Sequence, residues 1–149
     1  MQITLVSCPN GMGHFKRLLN LALYLKKKKI NLVCTKKQKK KFYKKTSSNI
    51  KLKPILKEIN LKSNPFPKLL KFYNEDFSNY DFVRNSDVII SDNIINKSFY
   101  TKNFFMISNF FWSEVDSIYS HSKKKYLKIK KDFIKKNFFF TNKYFCTKK

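Results

Sequence analysis

Glycine is nearly missing from this chain: of 149 residues only Gly11 and Gly13 are glycine, and both stand in one turn. Neither a G-x-G-x-x-G dinucleotide fingerprint nor a G-x-x-x-x-G-K-[ST] phosphate loop can be laid over Gly11-Met12-Gly13. No Gly- or Ser-rich linker divides the chain either, so a single domain is expected, at a length suited to one core. Arginine is equally scarce, with Arg17 and Arg84 alone within a Lys+Arg total of 33. Cysteine appears three times, at Cys8, Cys34 and Cys146. That odd number and wide spacing fit neither a disulfide framework nor a CxxC metal knuckle, and the thiols read as reduced. No apolar run approaches the roughly 18 residues that span a bilayer. A strand signal begins at once, without the pattern of a signal peptide, and a cytoplasmic location is expected.

Acidic residues number only nine, leaving a net charge of +24. Such a balance invites a phosphate-bearing partner, because counterion release rewards each lysine placed on one face. The composition favours a different origin. Lysine is accompanied by abundant Asn, Phe, Ile and Tyr, all residues with A/T-rich codons, and base composition alone yields that bias. Nucleic-acid binders draw on arginine for bidentate contacts, and this chain has only two arginines. A nucleic-acid partner is therefore disfavoured, and a peripheral contact with anionic lipid at the inner membrane face is the better-matched use of the charge. A hydrophobic content of 42%, with 17% aromatic, argues for a packed core rather than disorder.

Residues 2–8 form a β-branched apolar run that reads as a buried strand. Residues 14–28 read as a helix, since Phe15, Leu18, Leu19, Ala22 and Leu25 keep the i, i+3, i+4, i+7 spacing of one apolar stripe. Lys26 to Lys29 are expected to crowd its C-terminus, where positive charge suits the macrodipole. Ile30 to Thr35 is a second strand, which makes a β-α-β unit with a right-handed crossover and a parallel sheet. Lys36 to Lys45 reads as a short basic helix anchored by Phe42 and Tyr43. Ile50 to Pro54 suggests an edge strand, and 64–82 one or two helices, with Pro65 and Pro67 at a helix start. Asp87 to Asp92 and Phe104 to Ser108 are the later strands. A lysine-coated helix through Val115 and Tyr119 to about Lys136 follows, and Phe138 to Phe140 suggest a last strand. The fold class is α/β: a Rossmann-like open parallel sheet of five to six strands, order 3-2-1-4-5, with helices on both faces.

In such a sheet, ligands bind beyond the carboxyl ends of the strands, where strand order reverses. The first and fourth strands are neighbours there, which brings Gly11-Met12-Gly13-His14 beside Ser91-Asp92-Asn93. A carboxylate facing an imidazole fixes its tautomer and stabilises the cation formed when it takes a proton. His14 thus reads either as a general base or as a histidine that only caps the helix or makes a local hydrogen bond. The two glycines suggest positive φ or close ligand approach, and the helix start offers N–H groups to an anion. His121 reads as surface decoration, and Trp112 with Phe110 and Phe111 as core. Ser91 lacks the elbow of a hydrolase nucleophile. No His/Cys/Asp cluster has metal-ligand spacing, and no cofactor is implied.

The segment Val6-Ser7-Cys8-Pro9-Asn10-Gly11-Met12-Gly13-His14-Phe15-Lys16-Arg17 resembles the GxGHxxR opening of the N-terminal, acceptor-binding domain of GT-B glycosyltransferases. Relatives by this motif are the GlcNAc transferase of lipid-linked peptidoglycan assembly and the nucleotide-sugar hydrolase of pseudaminic acid synthesis. Ser86 to Asn93 and Ile107 to Trp112 resemble the fourth and fifth strands of that domain. The resemblance implies His14 as the base that deprotonates an acceptor hydroxyl and Asp92 as its partner. Gly11, Met12, Gly13, Ser91 and Asn93 would line the substrate, and Arg17 would be structural or face a phosphate. The nucleotide-sugar would be held by a second domain or subunit, without which little transfer is expected. A fragment and one half of a two-chain enzyme both fit that expectation. The alternatives are a nucleotide-sugar hydrolase domain and a basic nucleic-acid-binding module.

Overall fold

The structure is a computed structural model that describes residues 1–25, 27–43, 46–58, 66–108, 121–136 and 138–141. The apolar run at the start becomes β1 (Gln2–Val6), and the five later runs become β2 (Lys29–Thr35), β3 (Ile50–Leu56), β4 (Val88–Asp92), β5 (Asn103–Ser108) and β6 (Phe138–Thr141). All pair in parallel, in the order β3-β2-β1-β4-β5-β6. This is the expected α/β open sheet, with the last strand added at its far edge. Pro54 sits in β3, the opposite edge strand, where a missing ladder donor does least harm.

Side chains alternate across the sheet, and each face buries a different set of helices. On one face Ile3, Leu5, Ile30, Leu32 and Cys34 meet Phe15, Leu18, Leu19 and Ala22 of α1 (Met12–Tyr24) and Phe42 of α2 (Lys36–Phe42). On the other, Val6, Val33, Ile89, Phe104 and Met106 meet Phe66, Leu69 and Phe72 of α3 (Phe66–Asn74). Tyr126 and Phe133 of α5 (His121–Lys136) join that second core. A short α4 (Asp81–Arg84) and a 3-10 turn (Lys97–Thr101) complete the crossovers. The chain runs outward from β1 through β2 to β3 and then crosses back to β4 on the other side of β1, so strand order reverses between β1 and β4.

Several boundaries differ from expectation. Helix α1 ends at Tyr24 rather than residue 28, so Lys27 and Lys28 form a turn and Lys29 already opens β2. Pairing decides this: Lys29 must stand opposite Gln2 for Leu32 to meet Leu5, and that tertiary register overrides the helix propensity of the lysine run. Tyr43, expected as an anchor, is 54% exposed, and Phe42 alone fills that role by stacking near Phe15. His121 is exposed, as expected. Lys26, the segment with Phe110 to Trp112, Val115 and Tyr119, and Cys146 lie outside the described residues. Among the described residues no helix is long and apolar enough to cross a membrane.

Burial has a consequence at alkaline pH. It pushes the Cys34 thiol up to about 12, and it raises the Tyr126 phenol as well. Both stay protonated in the folded chain, whereas the unfolded chain would ionise them near about 8.5 and about 10. The folded state therefore binds more protons above those values, and stability falls as pH rises through them. We expect a lower urea midpoint at about pH 10 than at neutrality, and a Cys34 thiol that stays silent to thiol reagents until the chain unfolds.

Candidate catalytic site

Beyond the end of β1 the chain runs through Ser7 to Gly11 and turns into α1. Gly11 is the helix N-cap, with φ +91 and ψ 177, a region that side-chain-bearing residues avoid. Gly13 lies inside the first turn of α1 without a positive φ, and a Cβ on it would meet nothing within 4 Å. Of the two glycines, only Gly11 has the positive φ that the sequence suggested. Gly11→Ala is expected to cost about 1–3 kcal/mol through strain. Gly13→Ala is expected to be neutral or to stabilise by about 0.5–1 kcal/mol by restoring a helix former. Thermal melts of the two variants check both signs.

His14 and Arg17 are three residues apart on α1 and share one helix face. Asp92 ends β4 on the same sheet face as Ile90, which packs toward α1. The three side chains meet there. His14 Nδ1 lies 2.9 Å from Asp92 Oδ1. Arg17 donates from Nε to Oδ2 at 2.8 Å and from Nη2 to Oδ1 at 2.9 Å, a two-pronged grip on the carboxylate. Asp92 is fully buried, His14 is 17% exposed and Arg17 35%, so the group grades from core to solvent.

The protonation pattern follows from the donor inventory. Arg17 Nη2 lies 3.2 Å from His14 Nδ1, a longer contact than the 2.9 Å from Nδ1 to Asp92 Oδ1. Asp92 accepts only. The shorter contact with an acceptor-only carboxylate favours the tautomer with its proton on Nδ1, which leaves the lone pair on Nε2. Arg17 offsets the charge of Asp92 beside the ring, and Nε2 is the ring nitrogen that points away from both.

His14 and Asp92 come together as the sequence led us to expect, and Arg17 joins them through Asp92. Met12 is half-buried and packs on the α1-side core. Ser91 and Asn93 are placed differently from open substrate contacts. Ser91 is fully buried, and its hydroxyl donates to the Ile94 carbonyl at 2.6 Å. Asn93 is 3% exposed, has φ 63 and gives its backbone N–H to the Ile107 carbonyl at 3.0 Å. Asparagine tolerates that left-handed conformation, and both residues shape the turn that aims Asp92.

Gln38 was not anticipated. It is 2% exposed on α2, and its Nε2 donates to the carbonyls of Gly11 at 2.8 Å and Cys8 at 3.1 Å and to Ser7 Oγ at 3.3 Å. The readable signal was Thr35-Lys36-Lys37-Gln38, the S/T-x-x-E/Q pattern of a capping box, which the structure forms. Two concavities, of about 380 Å³ beside α3 and about 400 Å³ beside Lys29, Lys51 and Lys53, include none of His14, Arg17 and Asp92. The chemistry of the trio, not the size of a cavity, marks this site. No protein-family model, no curated protein and no solved structure matches the chain.

Proposed function

We propose that this chain is the acceptor-side domain of a GT-B-like glycosyltransferase that moves a sugar from a nucleotide-sugar to a hydroxyl acceptor, with His14 as the base. The observation that carries this reading is the 2.9 Å contact of His14 Nδ1 with the buried Asp92, at the point where strand order reverses. An acceptor O–H set against His14 Nε2 would pass its proton there as its oxygen bonds to the anomeric carbon. The nucleoside diphosphate would leave with the electron pair of the broken bond. Asp92 would stabilise the imidazolium, and Arg17 would hold the carboxylate in place. The Gly11 turn keeps the approach free of side chains. A second domain or subunit would hold the donor. Lysines exposed on α2 would support contact with an anionic membrane surface.

The test is reconstitution. The purified chain is combined with a cognate nucleotide-sugar domain and a hydroxyl acceptor, and sugar-nucleotide turnover is followed with product analysis. Transfer to the acceptor supports the reading. Turnover to free sugar alone would replace it with a nucleotide-sugar hydrolase in which His14 serves a water.

A further inference from the structure

We propose that Gln38 is a positioning residue for the candidate site, locking the Gly11 turn in the one conformation that presents His14. Its side chain works in two directions. Oε1 accepts the Thr35 backbone N–H at 2.9 Å and so caps α2, which forces the Nε2 end toward the β1–α1 turn. There two carbonyls, of Cys8 and Gly11, and the Ser7 hydroxyl lie within 3.3 Å. Carbonyls can only accept, so the amide orientation is dictated by its neighbours. Gln38 is itself 2% exposed, so its amide has protein partners on every side rather than open solvent.

The need for such a clamp follows from Gly11. A glycine N-cap with φ +91 supplies no side chain to hold the first turn of α1, and the structure shows no side-chain cap bond there. Glycine also gives the turn the most conformational freedom to lose. Gln38, on a different helix, holds the Gly11 carbonyl in place of a capping side chain. His14 is only three residues beyond that carbonyl, so a rotation of the Gly11 peptide would carry the imidazole away from Asp92.

Two variants separate this role from ordinary helix capping. Gln38→Glu keeps an acceptor for Thr35, and glutamate serves equally in a capping box, but it sets a carboxylate oxygen against two carbonyls. Thr35→Ala removes the hydroxyl cap and leaves the Nε2 bonds. Because the chain has only two glycines, their amide signals in a proton–nitrogen NMR spectrum read the turn directly. Gln38→Glu is expected to shift both glycine signals and to abolish the difference between the His14 and His121 ring signals. Thr35→Ala is expected to lower the unfolding midpoint and leave those signals in place. Unmoved glycine signals in Gln38→Glu, or equal movement in Thr35→Ala, would overturn the proposal. If Gln38→Glu does not fold, the wild-type chain decides: its Gln38 side-chain amide protons should exchange more slowly than those of Gln2, and exchange at the same rate would overturn it. The bearing on catalysis rests on His14 as the base. The spectra read the clamp alone, so a chain without transfer activity leaves the clamp standing, and unmoved glycines leave the base standing.

Discussion

Asp92→Ala is expected to lower the unfolding free energy by about 3 kcal/mol, the low end of what removing one member of a buried ion pair does. Asp92 is fully buried and receives two donors from Arg17 and one from His14. Alanine takes from the guanidinium the two carboxylate bonds it makes here and from the imidazole its contact with Oδ1. Arg17 is 35% exposed and can turn toward water, which places the loss at the low end of that range. Asp92→Asn keeps the shape but removes the charge, and an intermediate loss is expected because its NH2 must face one of the existing donors. Urea unfolding at neutral pH measures both. Wild-type midpoints in these variants would show that the carboxylate does not hold Arg17 and His14.

His14→Ala is expected to show the opposite pattern. Transfer by the reconstituted enzyme should fall by about 10²–10⁴-fold, the usual contribution of a positioned base. Stability should change little, because Asp92 keeps both of its bonds from Arg17. An effect on rate without an effect on folding separates the base from a histidine that only caps α1. A variant that keeps full transfer, or that unfolds as readily as Asp92→Ala, would remove His14 from that role. The two substitutions thus divide the trio into a member that reacts and a member that supports.

Much of this arrangement could be read from the residues. The β-branched runs of β1 and β4 and the apolar stripe from Phe15 to Ala22 carry their own periodicities, and a β-α-β start leaves little choice of topology. Placing His14 near Asp92 needed only that β1 and β4 be neighbours, which the strand order provides. Features that depend on tertiary pairing were hidden. The end of α1 at Tyr24 is set by the register of Lys29 opposite Gln2, which no local pattern encodes. The grip of Arg17 on Asp92 joins residues 75 apart in sequence. The inward-facing amide of Gln38 sits in a helix that otherwise reads as solvated lysine. The burial of Ser91 and Asn93 was hidden too, since a turn that aims a buried carboxylate engages polar residues of its own.

The nitrogen-15 NMR spectrum of the His14 ring at neutral pH tests the central claim most directly, with the exposed His121 as internal reference. The account requires a proton fixed on Nδ1 and a bare Nε2 in the wild type, with that preference lost in Asp92→Asn. A proton resting on Nε2, or a ring that matches His121 in both proteins, would contradict it.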